Sequence, residues 1–129
     1  INFSNDSVSL LQRGPLSSGR NTFAATGNSN YGWFGGGYGG SGAGVRVDRI
    51  DFSNDSATAL QRGSLSSTRY QHAATGNSNY GWFGGGSIPA VTATVDRIDF
   101  SNDSVSASPR GPLSQTRRAL AATSNTPIG

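Results

Sequence analysis

Few residues in this chain could do chemistry, and those that could are repeated. Asp48 and Asp51 flank Arg49, and Asp96 and Asp99 flank Arg97 in the same order. Carboxylates so close together are raw material for a glycosidase or a divalent-cation site. Repetition speaks against both, because an active site on a pseudo-symmetric scaffold appears once. Arginine between two aspartates, recurring along a chain, instead suits ionic bridges between strands or between repeat units, since guanidinium pairs bidentately with carboxylate. Asp48, Arg49, Asp51, Asp96, Arg97 and Asp99 are therefore expected to be structural bridges. His72 is the single histidine, and its repeat equivalents are Phe23 and Leu120, which no catalytic or metal-binding role would tolerate. No Gly-x-Ser-x-Gly elbow, Walker loop or His-Glu-x-x-His occurs. There is no cysteine, hence no disulfide and no thiolate ligand or nucleophile. The reading is of a protein that is not an enzyme, with no catalytic residue, metal or cofactor.

The remaining candidates are aromatic. Tyr38 and Tyr70 lie outside the repeated consensus and are the stronger candidates for a ligand-binding surface, with Tyr31 and Tyr80 beside them. Tyrosine with nearby Asn and Arg can stack on sugar rings or bases. Asn2, Asn5, Asn54 and Asn102 open glycosylation sequons, although a turn explains each asparagine equally well.

The elements that must position these residues come from a repeat. Residues 24–37 return letter for letter at 73–86, including Tyr-Gly-Trp-Phe-Gly-Gly-Gly. Phe3, Phe52 and Phe100 each open Phe-Ser-Asn-Asp-Ser, so the periods are 49 and 48 residues. Arg13, Arg62 and Arg110 keep constant offsets from these phenylalanines, as do Arg20, Arg69 and Arg117. Only the stretch 37–45 and its counterpart 87–94 vary in length, which marks a loop. The whole chain, 1–129, reads as one repeat domain with units starting near 3, 52 and 100.

Each unit divides into four short strands separated by turn residues. Val95-Asp96-Arg97-Ile98-Asp99-Phe100 alternates as a strand does, followed by an Asx-type turn at Asn102-Asp103-Ser104. Next comes a short strand at 57–60 or 105–107, ended by Arg-Gly-Ser or Arg-Gly-Pro. The Ala-Ala-Thr strand, the Gly-Asn-Ser-Asn turn and the aromatic strand complete the unit. The three glycines that close the aromatic strand allow close backbone approach and positive φ. The fold class is all-β: four antiparallel strands per unit of nearly 50 residues is the period of a kelch-type propeller blade.

The motifs carry the same resemblance. Arg69-Tyr-Gln-His72-Ala-Ala resembles the innermost kelch strand, Tyr80-Gly-Trp-Phe-Gly-Gly the second, and Val95-Asp-Arg-Ile-Asp-Phe the third. The fourth departs, lacking the usual Trp. The Tyr-Gly-aromatic-Phe-Gly-Gly-Gly variant also resembles repeats in uncharacterised virion structural proteins of aquatic phages and large algal viruses. These resemblances imply small alanines near a propeller axis and Trp33, Phe34, Trp82 and Phe83 between blades. They also point to an extracellular or virion-associated place. The copper oxidases among kelch-like propellers need Cys, Tyr and His ligands that this chain cannot supply.

Composition sets the remaining bounds. The chain has 19 Gly, 20 Ser and 10 Asn, with 33% hydrophobic and 13% charged residues, so a large aliphatic core is unavailable. Every positive charge is Arg and every negative charge is Asp, leaving out the helix formers Lys and Glu. The net charge of +3 is spread along the repeats rather than clustered, which disfavours nucleic acid as partner. No run approaches the roughly 20 apolar residues of a membrane helix.

About three blades per chain fall below the usual four to eight of a closed ring. The ring is expected to be completed by further copies, from a homo-oligomer or from a longer chain; two chains would give about six blades. The absence of Met, and Ile128-Gly129 standing where Tyr80-Gly81 stand, favour a segment of a longer polypeptide. The expected function is a non-catalytic structural or ligand-binding propeller module recognising carbohydrate or protein. A multivalent lectin with one sugar site per blade is one alternative. The other is a Gly/Ser/Asn/Tyr-rich fibril-forming or RNA-associated low-complexity protein.

Overall fold

A computed structural model describes residues 11–124; the Phe3 motif, the sequons at Asn2 and Asn5, and Ile128-Gly129 lie outside the described residues. The described chain is all-β, with two 3-10 turns as its only helical elements. Two four-stranded antiparallel meanders dominate. In the first, β2 (Ala24–Gly27), β3 (Tyr31–Gly35), β6 (Arg46–Asp51) and β7 (Leu60–Ser64) lie in that order. The second repeats it with β8 (Ala73–Gly76), β9 (Tyr80–Gly84), β12 (Val95–Asp99) and β13 (Ser108–Arg110).

The register repeats as well: Thr26 faces Trp33 and Trp33 faces Arg49 in the first sheet, as Thr75 faces Trp82 and Trp82 faces Arg97 in the second. The turn before each aromatic strand is set by one asparagine. Asn28 Oδ1 accepts from the backbone N–H of Asn30 and Tyr31 at 2.9 and 3.0 Å. Asn77 does the same for Asn79 and Tyr80 at 2.8 and 2.9 Å. These side chains mimic the backbone of a turn, which is why Gly-Asn-Ser-Asn is repeated unchanged.

The stretches of variable length form small ribbons. In the first unit, β1 (Arg20–Asn21), β4 (Tyr38–Gly39) and β5 (Gly42–Ala43) form a three-stranded ribbon. In the second, β10 (Ser87–Ile88) and β11 (Ala90–Val91) form a two-stranded one.

Two local expectations need correction. The fourth strand starts later than 57 or 105: it runs Ser108–Arg110 in the second sheet, ending at Arg-Gly as expected, but Leu60–Ser64 in the first, passing through Arg62-Gly63. Gly63 stays inside the strand because the next unit passes across it: a Cβ there would lie 1.9 Å from the Val105 carbonyl oxygen. The third strand ends at Asp51 or Asp99, one residue before the phenylalanine. Asp51 Oδ1 accepts from Ser53 N–H, and Asp99 Oδ1 from Ser101 N–H, both at 2.9 Å, which turns the chain into 3-10 turns at Phe52–Asn54 and Phe100–Asn102. The turn-making carboxylate thus precedes the Asn-Asp-Ser tripeptide rather than belonging to it.

The core lies between the two sheets. Trp33, Val47, Leu65, Phe83, Ile98 and Ala107 are buried together, with Ala24, Tyr31, Ala74 and Phe100 packed around them. The glycine run admits the neighbouring unit. Gly35 faces the Phe83 ring, where a Cβ would come within 2.8 Å. Gly36 and Gly37 take φ of 65° and 104°, repeated by Gly85 and Gly86 at 71° and 103°. At Gly36 a Cβ would meet the Arg69 carbonyl at 2.7 Å.

Gly36→Ala combines a left-handed backbone with a clash against main chain. It is expected to destabilise the protein by about 2–4 kcal/mol in denaturant unfolding. Gly40→Ala, which meets nothing within 4 Å, should change stability by less than about 0.5 kcal/mol.

Candidate functional site

The buried charged residues, Asp48, Arg69, Asp96 and Asp103, belong to two kinds of ionic arrangement, each built from segments distant in sequence. Asp48 accepts from Arg20 Nη1 at 2.9 Å, from Ser17 N–H at 2.9 Å and from Ser17 Oγ at 2.7 Å. Asp96 repeats the pattern with the Arg69 guanidinium, Ser66 N–H at 2.8 Å and Ser66 Oγ at 2.7 Å. In each, Leu-Ser-x-x-Arg wraps the start of the third strand, and the arginine donates onward to a main-chain carbonyl, Phe34 or Thr94. Desolvation lowers the Arg69 pKa, with the Asp96 charge opposing it.

The second arrangement joins the two sheets. Asp103, buried in the second unit, accepts from Trp33 Nε1 at 2.8 Å and Arg49 Nη1 at 3.1 Å on Oδ2. Its Oδ1 accepts from Arg62 Nε at 2.8 Å, with Arg62 Nη2 at 2.6 Å. All three donors belong to the first sheet. Phe100, three residues earlier, stacks on Trp33 with ring centroids 3.9 Å apart and planes 6° from parallel. Gly63 N–H donates to the Asp103 carbonyl at 2.8 Å.

These contacts account for three of the six aspartates and arginines singled out from the sequence, Asp48, Arg49 and Asp96. Asp48 and Asp96 bridge to Arg20 and Arg69, and Arg49 bridges to Asp103, so the partners come from other segments rather than from within each Asp-Arg-x-Asp group. Asp51 and Asp99 are corrected from bridges to turn caps, each held by the amide and hydroxyl of the serine two residues on. Those donors also hold both carboxyls below the usual carboxylate range. Arg97 makes no ion pair among the described residues; its guanidinium lies over the Tyr80 ring, 4.2 Å from the centroid. Among the described residues no three His, Asp, Glu or Cys side chains gather to hold a metal ion.

The four tyrosines separate into two places. Tyr38 and Tyr70 meet edge to face, centroids 5.7 Å apart, and Tyr38 is exposed. A groove of about 420 Å³ nearby is lined by Gly37, Gly39, Gly40, Arg20, Arg46 and Thr68 among others, but by neither tyrosine. Tyr31 and Tyr80 are half-buried and come together at a depression of about 320 Å³ with Asn28, Ser78, Asn79, Asp99, Phe100 and Ser101. One unit earlier, Ser29, Asn30, Tyr31, Asp51, Phe52 and Ser53 line the corresponding depression. Unit for unit these are the same positions, except that Asn28 and Tyr31 reach the later pocket from the unit before it.

Each pocket offers an aromatic ring, asparagine, serine hydroxyl and a carboxylate whose Oδ1 is committed to its own turn. In the later pocket Asp99 Oδ2 has no partner among the described residues. Arg49 lies over Tyr31 at 4.4 Å as Arg97 lies over Tyr80. Sequence reasoning named the tyrosines but missed Asn28, Asn79 and Asp99 as their companions, and missed Asp103 as an ionic hub. The constant Asn-Asp-Ser offset was the available signal for Asp103.

Compared with known proteins, the chain matches no family model, and no curated protein is significantly similar to it.

His72 sits between units with Nε2 3.0 Å from the Gly35 carbonyl and Nδ1 unpartnered. Burial, reinforced by the Arg69 charge, lowers its pKa to about 4. The unfolded chain then binds a proton between pH 6.5 and about 4 that the folded chain refuses. Stability is therefore full above pH 6.5 and falls as the pH drops towards 4, by on the order of 2–3 kcal/mol. His72→Phe, the residue type of the preceding unit, should flatten the pH dependence of unfolding in this window. Asp103→Asn, which weakens a buried three-donor site, is expected to cost about 3 kcal/mol. Asp55→Asn at the exposed counterpart should cost below about 0.5 kcal/mol, compared by urea denaturation.

Proposed function

We propose that this chain is a non-catalytic, ligand-binding module of a kelch-like β-propeller, each four-stranded meander being one blade. Carbohydrate is the ligand class favoured at the repeated tyrosine pockets. The observation that carries this reading is the recurrence of one pocket chemistry at the same place in successive units, around Tyr31 and then around Tyr80. Sugars are bound by an aromatic face for their C–H surface and by planar amide and carboxylate groups for their hydroxyls, and both are present here. An ionised Asp99, held in place by Ser101, supplies a fixed acceptor over the physiological pH range.

Three further observations support a binding module over an enzyme. The buried carboxylates are saturated by Arg, Ser and Trp donors, the histidine is replaced by Phe and Leu in the other units, and Asp51 and Asp99 are each engaged in capping their own turns. Repeated strand register and repeated buried ion pairs support a folded module over a Gly/Ser/Asn/Tyr-rich fibril. Placement outside the cell or on a virion fits multivalent surface recognition and stays part of the proposal.

Glycan-array binding of the purified chain, followed by calorimetry on the best glycan, tests the reading. Tyr80→Ala and Asp99→Asn are each expected to weaken binding at least about 10-fold while leaving the far-ultraviolet spectrum unchanged. Tyr38→Ala should leave affinity within about 2-fold. Silence across the array, or loss through Tyr38 alone, would overturn the assignment to these pockets.

A further inference from the structure

The contact between the two units leaves a copy of one of its halves unused. The first sheet presents Trp33, Arg49, Arg62 and Gly63; the second unit fills them with Phe100, Asp103 and the Val105 carbonyl. The second sheet presents the same four residue types at the equivalent repeat positions, Trp82, Arg97, Arg110 and Gly111. Among the described residues none of them is engaged in this way. Trp82 is half-buried where Trp33 is fully buried, and Arg97 and Arg110 have no carboxylate partner among the described residues. A Cβ on Gly111 would meet nothing within 4 Å, against 1.9 Å at Gly63.

The sequence holds one segment of matching chemistry. Residues 3–9, Phe-Ser-Asn-Asp-Ser-Val-Ser, are identical to residues 100–106, the segment seated on Trp33. The middle copy is Phe52-Ser-Asn-Asp55-Ser-Ala, and Asp55 already pairs with Arg13 at 3.4 Å. Charge complementarity follows from the first sheet, where the equivalent two guanidinium groups and indole N–H seat one carboxylate.

Resting on the propeller reading for the order of blades, we propose that Trp82, Arg97, Arg110 and Gly111 form a docking site for residues 3–9 of a second copy of this chain. Phe3 stacks on Trp82, and the Asp6 carboxylate receives the Trp82 Nε1–H and both arginines. A second copy is the occupant because the same chain reaching round to its own site would close a ring of three units, below the propeller range. The units then join head to tail, a heterologous contact that closes into a ring.

The experiment uses the chain as it stands, with sedimentation velocity and acrylamide quenching of tryptophan emission across a range of concentrations. The two tryptophans are distinguishable, because Trp33 is fully shielded in the monomer and Trp82 only half-buried. Self-association is expected, with Trp82 becoming shielded as the associated species forms. Phe3→Ala with Asp6→Asn, and separately Arg110→Ala, should weaken association at least about 30-fold and leave Trp82 quenchable throughout. A monomer of 13.3 kDa at every concentration would overturn the proposal. So would an oligomer in which Trp82 stays half-buried, or a monomer whose Trp82 is shielded until Phe3 is changed. Phe100→Ala tests the underlying contact separately: it should expose Trp33 to quencher, and if it did not, the blade-contact reading itself would fail.

Discussion

The structure turns on a single buried carboxylate beneath a tryptophan of the neighbouring unit. Asp103 is nearly inaccessible, at 3% side-chain exposure, and such a charge is tolerable only when donors surround it. Trp33, Arg49 and Arg62 supply them, and all three come from a sheet that shares no ladder with Asp103's own. Seating the carboxylate therefore fixes how the two sheets sit against one another. Directional contacts carry this task because the chain has little else. With 33% hydrophobic residues, a sliding aliphatic interface would be poorly specified, whereas a carboxylate with three matched donors accepts one position. The same logic governs Asp48 and Asp96, which anchor the Leu-Ser-x-x-Arg segments to the third strands.

Close backbone approach is the counterpart of these bridges. Gly14 and Gly63 leave room for the carbonyls of Ala57 and Val105 at distances no side chain would permit. Thr22, Gln71 and Ala119 take φ of 51°, 55° and 53°, one in each unit, although only one of the three is a small residue and none is glycine. A left-handed residue that is not glycine costs about 1 kcal/mol or more, and it is held here by main-chain bonds between units. Gln71 N–H donates to the Thr22 carbonyl at 3.0 Å and Ala119 N–H to the Gln71 carbonyl at 2.8 Å. Each unit thus strains one residue to pass a hydrogen bond along the row.

The repeat period and the alternation of Val95 to Asp99 made the strands legible in sequence, and the identical letters at 24–37 and 73–86 made the equivalence of the two sheets legible there too. What sequence could not convey was which face of each motif meets another unit. Arg-Gly after Leu60 reads as a strand end when only the local chain is considered, because glycine usually stops strands. It lies within the strand because the next unit crosses it, a long-range fact. The Asp-Arg-Ile-Asp group misleads for a related reason: its two aspartates look alike in sequence, yet one is buried against Arg20 or Arg69 while the other turns outward to cap a serine. Tyrosine positions were legible as candidates, but the pocket around Tyr80 draws Asn28 and Tyr31 from the preceding unit, and pairing across units leaves no local signature.

That composite origin couples the candidate pocket to the packing of the units. The short turn Phe100–Asn102 follows Asp99 and precedes Asp103. Asp99, Phe100 and Ser101 line the pocket, while Phe100 also stacks on Trp33 and Asp103 receives the buried donors. A ligand seated between Tyr31 and Tyr80 would touch residues on both sides of the unit boundary, so its binding energy would add to whatever holds the boundary closed. By linkage the reverse would hold: for such a ligand, a boundary kept closed by Asp103 would raise affinity by the same factor. For such a ligand, affinity along the array would grow with the number of seated boundaries rather than with the number of units, and the buried carboxylate, although remote from solvent, would then be a determinant of recognition.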